Sequence, residues 1–163
     1  MLCDNNEVRP RPQTVALAIN GITRNGVGPV LPSELDAVTS SYHRCLSSEK
    51  FIDTFYKFFL AKSEEVAQKF IATDFDHQKL MLRESLLMMV MFSRDPVGVR
   101  DEMAKLAKRH DRTGVDIPAR LYALWLDSLC EAVQEHDPEF SEDVGHKWRA
   151  AMEPGIDFII SKH

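Results

Sequence analysis

From Ser33 to the C-terminus the apolar positions recur at intervals of three and four, the period of a helix with one buried face. No stretch alternates with the period of two that a half-buried strand requires. Pro32-Ser33-Glu34 reads as a helix start, and that helix is predicted to run to about Leu46. Ser47 or Ser48 is placed to cap a second helix over Glu49 to Ala61, with Ile52, Phe55, Tyr56 and Phe59 on one face. A short segment, Glu64 to Phe70, follows. Asp74 or Asp76 is then predicted to cap a long helix through Phe92. Asp95-Pro96 is predicted to start another that ends near His110, ahead of Asp111-Arg-Thr-Gly114. Pro118 opens a helix to about Glu135, and Ser141-Glu-Asp-Val begins the last, in which Pro154-Gly155 predicts a kink or break. The pattern predicts an all-α domain over residues 33–163, without internal repeats.

Residues 1–32 read differently. Pro10, Pro12, Pro29 and Pro32 bracket an apolar stretch from Gln13 to Gly21, which predicts an irregular arm with at most one short helix. The arm's composition is compatible with a packing strut, a homodimer contact or an attachment to a partner. The 163 residues suit one domain with one core, and the 44% apolar share argues against a disordered chain. A net charge of −5 without a basic block makes nucleic acid a poor partner. Cys3, Cys45 and Cys130 are odd in number and widely spaced, which points away from a disulfide framework and toward a reducing, cytoplasmic setting. The longest apolar run, Leu86 to Phe92, is too short to cross a membrane, and the first residues lack an apolar signal core.

The six histidines show no H-E-x-x-H spacing, and neither a C-x-x-C pair, a G-x-S-x-G elbow nor a phosphate loop occurs. His110 stands apart because Val99, Met103 and Leu106 precede it on one helical stripe. Such a histidine is commonly a satisfied core residue; in an apolar cleft it is also the neutral imidazole that an iron porphyrin needs as axial ligand. Tyr56 interrupts the apolar face of Phe55, Phe59 and Leu60 with a hydroxyl, and Gln78 shares an inward face with Leu82 and Ser85. These two are either filler and a first-turn polar residue, or two donors converging on a small ligand with partial negative charge. Trp125 and Trp148 read as fillers of helix interfaces, and Cys130 as an inert inward thiol.

The run Phe55-Tyr56-Lys-Phe-Phe-Leu60, then Phe70, Gln78, Leu106-Ala-Lys-Arg-His110 and Trp148, resembles the bacterial globins. The similarity is to single-domain haemoglobins and the globin portion of flavohaemoglobins, and it spans roughly residues 34 to 160. It implies a globin fold, a three-on-three helical sandwich here carrying an N-terminal extension, and haem b as cofactor. It implies His110 as the iron ligand, Phe70 wedged on the porphyrin, and Tyr56 with Gln78 holding the distal ligand. Met81 and Leu82 would line the distal side, Leu106 the proximal side, and Tyr122 the proximal region. A register slip of one would put His77 in place of Gln78 and allow a bis-histidyl iron. The ligands implied are dioxygen, nitric oxide and carbon monoxide, for binding and storage or for nitric oxide detoxification. Nitric oxide dioxygenase activity would need an external reductase, because the sequence stops at His163 without the flavin and nicotinamide modules of flavohaemoglobins. The acid that their last helix gives the proximal histidine has no clear counterpart, with Glu153 and Asp157 as candidates. Two other readings stay open: a haem-based sensor that signals through a partner, and a cofactor-free globin-like module in which His110 is simply core.

Overall fold

The computed structural model describes residues 31–163, so the predicted arm lies outside the described residues except at its very end, where Pro32 is already helical. Among the described residues there are seven helices and no strand: α1 (Pro32–Leu46), α2 (Phe51–Lys62), α3 (Glu64–Lys69), α4 (Phe75–Arg94), α5 (Arg100–His110), α6 (Arg120–His136) and α7 (Glu142–Ile160). None is long and apolar enough to cross a membrane.

Local chemistry explains most of the boundaries. Proline sits in the first turn of α1, where its missing N–H costs nothing, and the Glu34 carboxylate accepts the Leu31 N–H at 2.7 Å. Ser63 caps α3 through Val66 N–H, Asp74 caps α4 through Asp76 and His77 N–H, and Ser141 caps α7 through Val144 N–H.

Three expectations are corrected. The predicted serine cap of α2 does not form: α2 starts at Phe51 behind Lys50, and the Ser47 hydroxyl instead donates back to the His43 carbonyl at the end of α1. Asp95-Pro96 does not start α5. The Asp95 carboxylate accepts the N–H groups of Val97 and Gly98, at 3.2 and 3.0 Å, closing a turn that delays the helix to Arg100. The last helix runs unbroken through Pro154. Tertiary packing outweighs the lost hydrogen bond there, because Gly155 lets α7 press on α4 and α5: a Cβ at that position would stand 3.0 Å from Met89 Cε and 3.4 Å from Met103 Cε.

The helices pack as a three-on-three sandwich. One layer holds α1, α4 and α5, the other α2, α6 and α7, with α7 touching every helix of the first layer and α2 packed along α6. Trp148 of α7, fully buried, fills the interface with α1 as expected and donates its indole N–H to Ser41 Oγ at 2.9 Å. Ser41 in turn donates to Asp137, a residue only 4% exposed in the α6–α7 link, and Arg44 clamps the same carboxylate with two bonds of 2.5 and 2.8 Å. The tie thus joins α1, the link and α7. Cys45 and Cys130 are buried and unbridged, and burial pushes their thiols up to about 12 and about 11, so both stay protonated and inert.

Burial works against the Asp137 charge, but the Arg44 guanidinium, the Ser41 hydroxyl and the Glu139 N–H prevail and hold its carboxyl below the usual carboxylate range. Asp137→Ala is therefore expected to remove about 3 kcal/mol of unfolding free energy in urea melts at neutral pH. A depressed carboxyl gives stability that is complete above its unfolded pKa and lost as the pH falls through its folded one. The gap between variant and wild type should accordingly shrink below about pH 4.

Candidate functional site

The inner faces of the two layers do not close completely. Between α2, α4, α5, α6 and α7 lies an apolar cavity with about 870 Å³ of atom-free space, the open solvent at its mouth included. All eight residues singled out in the sequence line it: Tyr56, Phe70, Gln78, Met81, Leu82, Leu106, His110 and Tyr122. His77 does not line it; that residue is exposed on the first turn of α4, so the cavity register belongs to Gln78.

His110 is the last residue of α5, carried inward by the stripe of Met103 and Leu106. Its Nδ1 lies 2.8 Å from the Leu106 carbonyl oxygen. A carbonyl can only accept, so Nδ1 carries the proton and Nε2 keeps its lone pair. Burial lowers the imidazole pKa below its usual value, outweighing that bond, and the ring is neutral at pH 7. Neither Glu153 nor Asp157 serves as its acidic partner: the N–H that a carboxylate would take is spent on the helix's own backbone. The Tyr122 ring stands beside the imidazole, centroids 6.3 Å apart.

Across the cavity Tyr56 is held by aromatic neighbours, with Phe55, Phe75 and Phe70 centroids at 5.0, 5.4 and 5.9 Å. Burial pushes the phenol up to about 12, so it remains an O–H donor across the physiological range. Its hydroxyl donates to the backbone carbonyl of Gln78 at 3.3 Å, a long bond of the kind that a better acceptor displaces. The Gln78 side chain lines the same cavity, one turn before Leu82 and two before Ser85. The two donors and the imidazole therefore line one apolar space. No cluster of three or more His, Cys, Asp or Glu suited to a metal ion occurs among the described residues.

The sequence reading missed several lining residues. Trp125, read as an interface filler, lines the cavity with its ring edge-on to Phe55 at 5.9 Å. Met89 and Ile156 close the floor, and Lys69 stands at the mouth. The aliphatic residues carried no signal beyond helical period, since cavity wall and core wall have the same chemistry.

No family model and no curated protein matches the chain. A solved structure does: a protein from Pseudomonas aeruginosa PAO1 described as structurally highly homologous to a human hemoglobin. It is 39% identical, the match covers 79% of this chain and 97% of that one, and the TM-score is 0.76. Fold and pocket thus define an all-α, haemoglobin-like sandwich. With that identity over that length, the chain belongs to the globin family.

The tautomer assignment is directly measurable. Nitrogen-15 NMR of His110 is expected to show Nδ1 protonated and Nε2 bare at pH 7, with a titration midpoint below the ordinary value of about 6.5. A protonated Nε2 at neutral pH would contradict it.

Proposed function

We propose that the chain is a haem-binding globin that takes a diatomic gas, dioxygen first and nitric oxide or carbon monoxide besides, within a globin unit of residues 33–163. The observation that carries this reading is the His110 imidazole: neutral, oriented by Leu106, and presenting Nε2 to an apolar cavity. Bound haem would supply an iron that takes the gas, with His110 as the residue that would hold it. The residues fit such a group. Phe70 and Leu106 offer apolar contact to a flat macrocycle, with Met81 and Leu82 on the α4 side. Cys45 and Cys130 do not line the cavity, which favours the non-covalently held haem b.

On the distal side Tyr56 and Gln78 provide an O–H and an N–H donor. Each stabilises negative charge on the bound gas by about 1 kcal/mol net, more where water is excluded. Two such donors slow escape, which suits retention or detoxification of a gas better than its rapid delivery. On the proximal side, the imidazole donates to a neutral carbonyl. It is therefore a weaker base than one paired with a carboxylate. That favours reversible binding over electron-driven turnover.

Reconstitution of the full chain with ferric haem is expected to produce a Soret band and a saturable one-to-one complex, both lost in His110→Ala. Tyr56→Phe and Gln78→Leu are each expected to speed dioxygen release in stopped flow by about fivefold, the equivalent of ~1 kcal/mol. Release rates equal to wild type in both variants would remove the distal assignment.

A further inference from the structure

The outer face of α4, turned away from the cavity, is more apolar than a surface helix needs. Leu80, Leu87 and Met91 fall at i, i+7 and i+11, one stripe along the helix, and are 55%, 43% and 48% exposed. Just past the end of α4 Val97 is exposed as well, and so is Leu31, directly ahead of α1. Single apolar side chains scattered over a surface need no explanation, but a row of them marks a contact surface. The described helices leave this row uncovered. Beside it runs α1: Tyr42 donates its hydroxyl to the Arg83 carbonyl at 2.8 Å, and Asp36 pairs with Arg94. The earlier residue of α1 thus meets the later residue of α4, so the two helices are antiparallel and the start of α1 stands at the end of α4. The chain before Leu31 therefore joins the globin unit at one end of the stripe.

That arm has the length and chemistry to cover it. Its apolar part is Val15-Ala-Leu-Ala-Ile19 followed by Ile22. Eight residues separate Ile22 from Leu31, a span of up to about 30 Å when extended. The stripe is only about 16 Å long at the helical rise per residue. Charge agrees with reach: residues 8–30 hold Arg9, Arg11 and Arg24 and no acid, in a chain whose net charge is −5. On the stripe's own face Glu84 is exposed between Leu80 and Leu87. A second copy of the chain is a poorer occupant. Three half-exposed side chains offer on the order of a few hundred Å², against about 800 Å² per partner in a stable dimer. A tethered segment needs far less area, because a short tether holds it at an effective concentration of about a millimolar. We propose that residues 15–22 lie along Leu80, Leu87 and Met91 of the same chain, making the N-terminal arm a strap over the outside of α4. The contact does not depend on what fills the cavity.

Disulfide trapping in the full chain tests it, on a Cys3→Ser background with Cys45 and Cys130 left buried. Ile19→Cys combined with Leu87→Cys is expected to oxidise to an intramolecular bridge about tenfold faster than Ile19→Cys combined with Lys105→Cys, a partner exposed on α5. Equal rates would mean an arm that sweeps the surface without a seat, and would overturn the proposal. Bridged dimers as the main product would overturn it too, by giving the stripe to a second copy. A double-mutant cycle in the full chain adds an energetic readout. Ile19→Ser and Leu87→Ser are each expected to lower the urea midpoint, and together to lower it no further than the larger single change. Additive shifts would show that the two side chains do not meet.

Discussion

The hydrogen bond from His110 Nδ1 to the Leu106 carbonyl, 2.8 Å within a single helical turn, sets the chemistry of the whole cavity. It chooses the tautomer, fixes the plane of the ring and leaves Nε2 as a bare lone pair facing an apolar space. Burial works in the same direction by disfavouring the imidazolium. A backbone carbonyl is an economical orienting group because it comes with the helix and adds no charge to a low-dielectric site. It also limits what the site does, since a neutral acceptor donates less electron density through the ring than a carboxylate would.

The rest of the molecule keeps that cavity open without losing cohesion. A gap in a close-packed core is costly, since its walls forgo contacts on one side. Packing elsewhere in the core offsets that cost: Trp148, Ser41, Asp137 and Arg44 cross-link α1, the α6–α7 link and α7, and Gly155 brings α7 hard against α4 and α5. Around the cavity the aromatic group of Phe55, Tyr56, Phe70 and Phe75 braces the distal wall.

Membership of the globin family rests on the solved relative, and the pocket residues agree with it independently. Tyr56, Gln78 and His110 sit on three different helices, far apart in sequence, yet line one space.

The chain's helical period, its proline, aspartate and serine starts, and the spacing of Tyr56, Phe70, Gln78 and His110 determined the all-α class and the cast of the pocket, because these are local properties of sequence. Where local signals competed, either a rival local bond or tertiary packing decided. Asp95 spent its carboxylate on a turn instead of a helix start, and α7 continued through Pro154 because Gly155 made the interface worth more than the missing bond. Only the assembled structure could show that Trp125 faces a cavity and that His110 finds its partner in a carbonyl and not in Glu153 or Asp157. Each depends on which residues from distant helices meet, and one chain's periodicity tells which face turns inward without telling what it meets there.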